Sequence, residues 1–486
     1  MLLSELINGD GAAPGNVDIR GLTADSREVR PGYLFAALPG SRLDGVDFVA
    51  DAVARGAVAI LALEGANIEL PSGQVRLVTD ANPRRRLAQM AARFYPAQPR
   101  VIAAVTGTNG KTSVVAFTRQ IWERMGLPSA SLGTLGIVGK GLAWTLPHTT
   151  PDPVTLHHAL SDLAAAGVAH LALEASSHGL DQCRMDAVRV SVAGFTNLSQ
   201  DHLDYHADRE AYLAAKRRLF DTVMAPGGTA VLNADAPEFE RLVAVCRARR
   251  HRVLGFGYAG AELCLVEATP EADGQRLVVA VDGKRHEVTL PLAGGFQVMN
   301  ALCAVGLVMA CGGAADVALA ALPSLTGVPG RVQRVARHPC GAPVYVDYAH
   351  TPDALANVLV ALRPHATGRL VVVFGCGGDR DAAKRPMMGE IAARLADRAL
   401  VTDDNPRSED PAAIRHAILA ACPGADEFDD RGAAIRAATA ELRTGDVLVI
   451  AGKGHEQGQI VGDRVIPFDD AEVARAAVAA LEGGAP

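Results

Sequence analysis

A glycine-rich loop that follows a short apolar run constrains the fold of this chain more than any other segment. The run at 101–105 precedes Thr-Gly-Thr-Asn-Gly-Lys-Thr-Ser at 106–113, and a stretch with helical character follows at 114–125. In such a strand-loop-helix unit, glycines let backbone N–H groups approach phosphate oxygens, Lys111 adds a positive charge, and the Thr112 hydroxyl can reach Mg²⁺. The longer G-x-x-x-x-G-K-[ST] pattern is not met, because its first glycine is a valine here. The alternative is a chance turn before a helix, but the context favours a nucleoside triphosphate site.

The chain from residue 101 onward alternates short apolar runs with alanine-rich stretches. Runs at 101–105, 171–173 and 190–195 have the length and composition of strands that are buried on both faces. Helical stretches between such runs are typical of parallel strands joined by crossover helices. The pattern predicts an α/β fold with a doubly wound, P-loop-like sheet over residues 96–329.

A third region begins at a turn-rich joint near residue 330 and repeats the pattern. Its predicted strands at 344–346, 370–374, 399–401 and 447–450 are each followed by polar or glycine-rich residues. Ligands of open α/β sheets bind outside the carboxyl ends of the strands, so we expect a site at this edge. Because the first 95 residues have short apolar segments broken by turns, we predict three domains, at 1–95, 96–329 and 330–486.

Composition excludes several functional classes. The chain of 486 residues carries a net charge of -7, which disfavours a general nucleic-acid binder. The N-terminus lacks a basic segment followed by a long apolar run, and no apolar stretch is long enough to span a bilayer, so we expect a cytoplasmic protein. Eight cysteines without a Cys-x-x-Cys pair indicate neither a zinc site nor a disulfide framework. Most of them are expected to be small buried residues.

Seven ordered segments resemble those of the Mur ligase superfamily, which also includes folylpolyglutamate synthase. Their order and separations are most similar to the members that add the third peptide residue of the peptidoglycan precursor, and they extend from about residue 20 to 470. The segments are DSR at 25–27, GTNGKT at 107–112, TTPD at 149–152, EASSH at 174–178, NLSQDHLD at 197–204, YAHTP at 348–352 and GDRD at 378–381. The resemblance implies an N-terminal UDP-binding domain, a central ATPase domain and a C-terminal Rossmann-like domain that brings in the amino acid.

The resemblance also implies the reaction. A carboxylate is a poor electrophile, so ATP first phosphorylates it to an acyl phosphate, which the incoming amine then attacks. The implied partners are UDP-N-acetylmuramoyl-L-alanyl-D-glutamate and meso-diaminopimelate, with ATP and Mg²⁺, and a monomer is expected. Catalysis then rests on positioning and on neutralising the charge of the transferring phosphoryl group.

The resemblance assigns the catalytic and metal positions residue by residue. Lys111, Glu174, His202 and Lys216 are the implied catalytic residues, and Thr112 joins the last three as an implied Mg²⁺ ligand. From the sequence alone, a strand-end Glu or a loop His is more often a solvated or hydrogen-bonded group, and Lys216 could be a solvated surface lysine. In the family this lysine is carbamylated, which converts a cation into an anion with metal-binding oxygens.

Further positions implied by the resemblance bind the two nucleotide-containing substrates. The implied ATP contacts are Gly107, Thr108, Asn109, Gly110, Lys111, Thr112, Ser113, Asn300, Arg331, Asp347 and His350. The implied contacts to the UDP-linked substrate are Ser26, Thr149, Thr150, Ser176, Gln182 and Arg184. Cys183 departs from the pattern, because a histidine or another polar residue is expected between Gln182 and Arg184.

The segment Asp404-Asn405-Pro406-Arg407 bears on the choice of amino acid. Alone it would most often be a turn, but in the family it marks selection of meso-diaminopimelate. Diaminopimelate carries a second carboxylate that lysine lacks, and Arg407 can pair with it through two hydrogen bonds. The other implied contacts are Arg380, Gly452 and Glu456, the last suited to the distal ammonium.

Three alternatives remain from the sequence. The first is the same ligase with L-lysine, which the presence of Arg407 disfavours. The second is folylpolyglutamate synthase, which the segments at 149–152 and 404–407 disfavour. The third is a nucleotide-binding regulator that has lost catalysis, although the implied metal and carbamate positions are all present.

Overall fold

The computed structural model describes residues 1–7, 17–40, 43–70, 75–199, 205–271 and 274–483. The chain forms two compact units, one of residues 1–264 and 302–319 and the other of residues 265–301 and 320–486. His202, an implied metal ligand, lies outside the described residues. None of the helices in the described ranges combines the length and the apolar character needed to cross a membrane.

The first unit begins with a four-stranded parallel sheet, in agreement with the predicted small α/β region. Its elements are α1 (Leu3–Ile7), β1 (Gly21–Thr23), β2 (Tyr33–Ala37), α2 (Val49–Ala54), β3 (Ala57–Leu63), β4 (Arg76–Asp80) and α3 (Pro83–Phe94), with 3-10 turns at Ser26–Glu28 and Gly45–Phe48. The strands are ordered β1-β2-β3-β4. Leu34 and Leu61 of the sheet pack with Leu87 and Met90 of α3, so the helix covers one face of the sheet.

A larger sheet follows and confirms the predicted strands at 101–105, 171–173 and 190–195. Its strands are β5 (Val101–Thr106), β6 (Ser129–Gly133), β7 (Gly136–Gly139), β8 (Leu142–Trp144), β9 (His170–Glu174), β10 (Val192–Phe195), β11 (Thr229–Asn233) and β12 (Arg252–Gly257). The helices are α4 (Lys111–Arg124), α5 (Pro153–Ala165), α6 (Ser177–Asp181), α7 (Arg209–Arg218) and α8 (Phe239–Ala248), and a π-helical turn follows α7 at Leu219–Val223. The order is β12-β11-β10-β5-β9-β6-β7-β8, and the strands from β12 to β6 run parallel.

Residues 263–320 form three strands and two helices, and in this range the chain changes from one unit to the other three times. They are β13 (Leu263–Glu271), β14 (Gly274–Val281), β15 (Lys284–Leu290), α9 (Gly295–Ala310) and α10 (Ala315–Ala320), followed by a 3-10 turn at Leu322–Ser324. Strands β14 and β15 form an antiparallel hairpin. In the first unit, α9 residues Cys303 and Leu307 lie against Gly194 of β10, where a Cβ would meet both side chains at 3.4 Å. Because α5 packs in the core cluster of the opposite face with Ile102 and Ala104, the large sheet is covered on both faces, as predicted.

The second unit contains the predicted C-terminal sheet. Its elements are β16 (Gln333–Arg337), β17 (Pro343–Asp347), α11 (Pro352–Leu362), β18 (Leu370–Phe374), α12 (Lys384–Leu395), β19 (Arg398–Val401), α13 (Pro411–Leu419), β20 (Asp426–Glu427), α14 (Arg431–Ala440), β21 (Val447–Ala451), β22 (Gly458–Val461), β23 (Arg464–Pro467) and α15 (Asp470–Gly483), with a 3-10 turn at Arg363–His365. The order is β16-β17-β21-β18-β19-β20, with only β16 antiparallel among these pairs. Helices α11, α12 and α13 pack on one face and α14 and α15 on the other, so this sheet is also doubly wound. Strands β22 and β23 form a separate antiparallel hairpin.

The cysteines agree with the prediction that most are buried and unpaired. All eight are free, and Cys183, Cys246, Cys303, Cys376 and Cys422 are buried. Burial raises the pKa of the thiols of Cys246 and Cys376 to about 11, so these two stay protonated near neutral pH.

Candidate active site

The glycine-rich loop joins β5 to α4 through two glycines that no other residue type could replace without strain. Gly107 has a φ of 147° and Gly110 has a φ of 88°, both in the region that glycine favours. A Cβ on Gly107 would lie 1.9 Å from Thr196 Oγ1. The backbone therefore passes closer to the end of β10 than any side chain would permit, and α4 begins directly at Lys111.

Hydrogen bonds from the segment after β10 hold this loop in place. The Thr108 N–H donates to Asn197 O at 2.9 Å, and the Asn109 N–H donates to Asn197 Oδ1 at 3.0 Å. Lys111 Nζ turns back onto the loop and donates to the carbonyl oxygens of Gly107 and Thr108 at 2.9 and 2.8 Å. The loop thus presents a cation beside the N-terminus of a 14-residue helix, which is an arrangement suited to anionic phosphate.

Glu174 lies at the end of β9, as the sequence predicted, and its side chain reaches the first turn of α4. Its side chain is almost fully buried, at 1% exposure, and Oε2 accepts a hydrogen bond from Thr112 Oγ1 at 3.2 Å. Thr134 donates twice to the same carboxylate, from its N–H to Oε1 at 2.8 Å and from Oγ1 to Oε2 at 3.3 Å. Gly133 makes room for this carboxylate, because a Cβ there would lie 2.1 Å from Oε1.

The donors around Glu174 fit a hard divalent cation. Mg²⁺ prefers oxygen ligands and usually takes one or two carboxylates together with waters and substrate phosphates. The Glu174 carboxylate and the Thr112 hydroxyl supply that chemistry beside the phosphate loop. Over the described ranges, no cluster of three or more His, Cys, Asp or Glu side chains forms an all-protein metal cage.

Lys216 lies inside the protein, so the alternative of a solvated surface lysine is wrong. It belongs to α7, its exposure is 1%, and Nζ donates to the Gly107 carbonyl at 2.7 Å. The ammonium also lies 4.2 Å from the centroid of the Tyr212 ring. The fold therefore brings a second lysine to the phosphate loop from 109 residues further along the chain.

Five residues assigned to the UDP-linked substrate form one hydrogen-bonded cluster next to Glu174. Thr149 Oγ1 lies 3.0 Å from Thr134 Oγ1, and Thr150 Oγ1 donates to the Glu174 carbonyl at 2.8 Å. The remaining bonds run from Ser176 N to Thr150 Oγ1 at 3.0 Å, from Arg184 Nη1 to Thr150 O at 2.7 Å and from Arg184 Nη2 to Gln182 Oε1 at 2.7 Å. Burial lowers the pKa of the Arg184 guanidinium below its usual range.

Within the described ranges, the side chains of Cys183 and Ser26 make no hydrogen bond to the side chains of this cluster. Cys183 is buried with a φ of 57°, and its sulfur lies 3.4 Å from Arg218 Nη2, so the residue faces the interior rather than the polar cluster. Ser26 is buried in the 3-10 turn beside the N-terminal sheet. Within the described ranges, no hydrogen bond joins its side chain to the cluster around Thr150.

In the second unit, four residues assigned to ATP lie in two small networks. Asn300 Nδ2 donates to Gln297 Oε1 at 3.1 Å, and Gln297 Nε2 donates to the Arg331 carbonyl at 3.0 Å. The Arg331 guanidinium lies 5.0 Å from the centroid of the Tyr348 ring, and His350 Nδ1 lies 2.8 Å from the Tyr348 carbonyl.

Asp347 is the one carboxylate among these residues. It is buried at the end of β17, where Oδ2 and Oδ1 accept hydrogen bonds from the N–H groups of Val332 and Ala349, both at 2.7 Å. Burial raises the pKa of Asp347 to about 6, against the opposing effects of Arg331 and of the two N–H groups.

The carboxyl ends of β19 and β21 bring together the residues assigned to diaminopimelate. Asn405 Nδ2 donates to Glu456 Oε2 at 3.0 Å. Gly452 has a φ of 121°, and a Cβ there would lie 2.5 Å from Asp404 Oδ2, so glycine lets that carboxylate approach the backbone. Arg380 is exposed on the loop after β18.

Arg407 is held by its backbone and by one end of its guanidinium. Its φ is 52°, its N–H donates to Ile460 O at 3.0 Å, and its carbonyl accepts from the Gly462 N–H at 2.7 Å. Nη1 donates to the Gly378 carbonyl at 2.8 Å, and this bond fixes the orientation of the guanidinium. Its Nε and Nη2 atoms have no hydrogen-bond partner in the described part of the chain, so the edge that pairs with a carboxylate is available.

Sequence reasoning missed two residues at these sites. Thr134 contacts the Glu174 carboxylate across 40 residues of sequence, and no local pattern signals such a contact. Lys453 is fully buried and contacts Asn405 and Glu456. The sequence feature that could have indicated Lys453 is its position between two glycines directly after a buried strand.

Known proteins resemble this chain along nearly its whole length. Three family descriptions match the sequence, "Mur ligase family, catalytic domain" at residues 18–95, "Mur ligase middle domain" at 105–308 and "Mur ligase, glutamate ligase domain" at 330–454. A UDP-N-acetylmuramoyl-L-alanyl-D-glutamate--2,6-diaminopimelate ligase of Bradyrhizobium diazoefficiens is 55% identical over 487 residues, which cover 99% of each chain. The protein of the same name from Caulobacter vibrioides is 55% identical over 474 residues, or 96% of each chain.

A solved structure has the same architecture. It is a UDP-N-acetylmuramoyl-L-alanyl-D-glutamate--2,6-diaminopimelate ligase that is 32% identical to this chain, with a TM-score of 0.75 and 99% of each chain covered. Identity at this level over nearly the whole length, together with the three matched regions, shows that the chain belongs to the Mur ligase family.

Proposed function

We propose that this chain is an ATP-dependent ligase that adds meso-2,6-diaminopimelate to the D-Glu carboxylate of UDP-N-acetylmuramoyl-L-alanyl-D-glutamate, forming ADP and phosphate. The names of the full-length relatives support this reaction. The observation that carries the choice of amino acid is Arg407, whose guanidinium is turned by Gly378 so that Nε and Nη2 face no protein partner in the described ranges.

ATP phosphorylates the D-Glu carboxylate, and the amine of the amino acid attacks the resulting acyl phosphate and displaces phosphate. Lys111 and those N–H groups of the loop at 107–113 that do not donate to Asn197 bind the phosphates of ATP. This role is supported by the lysine beside the N-terminus of α4. Asn300, Arg331, Asp347 and His350 are proposed to contact the nucleotide as well.

Glu174 and Thr112 are the proposed Mg²⁺ ligands, together with His202 and the carbamate of Lys216. The metal would supply positive charge to the transferring phosphoryl group. The burial of Lys216 and its hydrogen bond to the Gly107 carbonyl support this role, because they bring the side chain beside the phosphate loop. A carbamate nitrogen keeps one N–H, so the hydrogen bond to the Gly107 carbonyl can persist.

The cluster at Thr149, Thr150, Ser176, Gln182 and Arg184 is proposed to bind the muramoyl dipeptide, and Ser26 the uridine diphosphate. The hydrogen bonds that join Thr150 to Glu174 and Thr149 to Thr134 support this role, because they place the cluster beside the proposed metal ligands. The D-Glu carboxylate would then lie near the phosphate to be transferred.

Arg407 is proposed to select diaminopimelate by pairing with its distal carboxylate. Lysine has no such group and would leave the guanidinium unpaired, which is costly where the group is half-buried. Glu456 and Asn405 are proposed to bind the distal ammonium, and Asp404, Pro406, Gly452 and Arg380 complete the site.

Other expectations are proposed on the same basis. The three domains are assigned to 1–95, 96–329 and 330–486, and the limits of the matched family regions support this partition. A substrate linked to UDP and a requirement for ATP favour a cytoplasmic location. A monomer is proposed.

The reaction is tested by phosphate release with ATP, Mg²⁺ and UDP-N-acetylmuramoyl-L-alanyl-D-glutamate, comparing meso-diaminopimelate, L-lysine and no amino acid. We expect release that depends on diaminopimelate. Equal release with lysine would contradict the assigned selectivity of Arg407. Binding of ATP without release under any of the three conditions would favour a catalytically silent regulator.

A further inference from the structure

Lys453 is a fully buried lysine at the proposed amino-acid site. It follows β21 and its side chain has 0% exposure, yet no role in the reaction has been assigned to it. A buried ammonium is stable only when other groups satisfy its charge and its N–H donors. Its partners therefore indicate what the residue does.

The ammonium contacts two of the residues assigned to diaminopimelate. Nζ lies 3.0 Å from Asn405 Oδ1 and 3.3 Å from Glu456 Oε2. Because Asn405 follows a different strand and lies 48 residues away, Lys453 joins the loop after β19 to the loop after β21. Any displacement of the ammonium would move both contacts together.

Lys453 also fixes which way the Asn405 amide faces. Oδ1 accepts hydrogen bonds from Lys453 Nζ and from the Ile460 N–H at 2.9 Å, so the amide nitrogen faces Glu456 Oε2 at 3.0 Å. A reversed amide would direct N–H donors at an ammonium and at a backbone N–H. Two donors on one oxygen thus give the amide a single favourable orientation.

The same contacts leave one carboxylate oxygen available. Glu456 Oε2 accepts hydrogen bonds from Lys453 Nζ and from Asn405 Nδ2. The other oxygen, Oε1, has no hydrogen-bond partner in the described part of the chain. The Glu456 side chain is 35% exposed, so a ligand can reach this side chain. An ammonium is the group that such an oxygen recognises.

We propose that Lys453 is a positioning residue for the amino-acid site, which holds Asn405 and Glu456 so that Glu456 Oε1 receives the ammonium of the amino acid. This inference rests on the proposed function. Lys453 does not touch the reacting atoms, so its loss should weaken binding of the amino acid and leave the phosphoryl transfer steps unaffected.

The test compares Lys453→Met with the parent by phosphate release, measuring KM for meso-diaminopimelate, KM for ATP and kcat. Methionine has a similar length without charge, so it removes the contacts of Nζ while it fills much of the same volume. We expect KM for diaminopimelate to rise about tenfold or more, while KM for ATP and kcat stay within about twofold. Lys453→Gln, which keeps an N–H donor, should lie between the two.

Arg369→Met is the matched control. Arg369 precedes β18 at the opposite edge of the same sheet and donates to the buried Asp446 at 2.7 Å. This control should lower the temperature of thermal unfolding without changing KM for diaminopimelate. It separates a loss of stability from a loss of positioning.

A double-mutant cycle with Asn405→Ala provides the decisive comparison. If Lys453 acts through Asn405, Lys453→Met should raise KM much less in the Asn405→Ala background than in the parent. The inference would be overturned by a folded Lys453→Met variant whose KM for diaminopimelate is unchanged. It would also be overturned if Lys453→Met raised this KM by the same factor in the parent and in the Asn405→Ala background. Either result would leave the proposed function intact. A parent without diaminopimelate-dependent release would overturn the proposed function, and this inference with it.

Discussion

Replacing Arg407 by leucine should remove the preference for diaminopimelate over lysine. The Nε and Nη2 edge of the guanidinium offers two parallel donors to a carboxylate, and a hydrogen bond to a charged group contributes about 1.5–3 kcal/mol. Arg407 is half-buried, so we take the lower value for each bond, or about 3 kcal/mol in all. Since each 1.4 kcal/mol changes a rate constant about tenfold, kcat/KM for diaminopimelate should fall about 100-fold.

The value of kcat/KM for lysine should stay constant or rise, because lysine has no distal carboxylate to lose and leucine removes the guanidinium that lysine leaves unpaired. The selectivity ratio, measured by phosphate release with each amino acid, should therefore fall by a factor of about 100 or more. Arg407→Lys keeps the charge but not the paired donors, and we expect it to lose much of the selectivity. It serves as the control for simple loss of charge.

Stability should change much less than selectivity. Leucine loses the hydrogen bond from Nη1 to Gly378 O, which costs about 1 kcal/mol. The φ of 52° is equally strained for Arg and Leu, since both carry an unbranched Cβ. An Arg407→Leu variant that is folded and retains the parental ratio for diaminopimelate and lysine would refute the reasoning.

Three further predictions concern the other charged and polar groups. Thr134→Val should raise the Mg²⁺ concentration needed for half-maximal activity about fivefold, because the carboxylate of Glu174 loses one donor, whereas Thr134→Ser should not. Lys216→Ala should abolish phosphate release and Lys216→Glu should retain more of it; equal losses would count against a carbamate. Asp347 has a pKa raised to about 6, so the folded state holds its proton more tightly than the unfolded state does. Its contribution to stability is therefore present at pH 4 and lost as the pH rises through 6, by about 2–3 kcal/mol, which urea unfolding of the parent and Asp347→Ala at pH 4 and 7.5 should detect.

The sequence predicted the strands of both large sheets because their apolar runs are buried on two faces. It was less accurate at element ends. The helix expected at 114–125 extends from Lys111 to Arg124, because Gly110 in a left-handed conformation lets α4 begin at the lysine. The helix that carries Lys216 begins at Arg209, where the Asp208 side chain caps it by accepting from the Ala211 N–H, a contact that only the folded backbone reveals.

The parts of the candidate site that sequence reasoning missed depend on contacts between distant segments. Lys453 and Asn405 are separated by 48 residues and meet because β19 and β21 lie in one sheet with β18 between them. The topology predicted that their loops share an edge. It did not predict which side chains would touch, because that depends on backbone conformations after each strand.

The backbone conformation of Arg407 cannot be predicted from the residues next to it in the sequence. A left-handed conformation costs a residue with a Cβ about 1–2 kcal/mol, so the segment Asp-Asn-Pro-Arg would not adopt it alone. The hairpin of β22 and β23 provides the compensating bonds, because Ile460 O and the Gly462 N–H engage both backbone groups of Arg407. That hairpin lies more than 50 residues further along the chain and exposes Val465, so it has no clear signal of its own as a buried strand. Selectivity for the amino acid therefore depends on a segment that contributes no residue to the proposed set of substrate contacts.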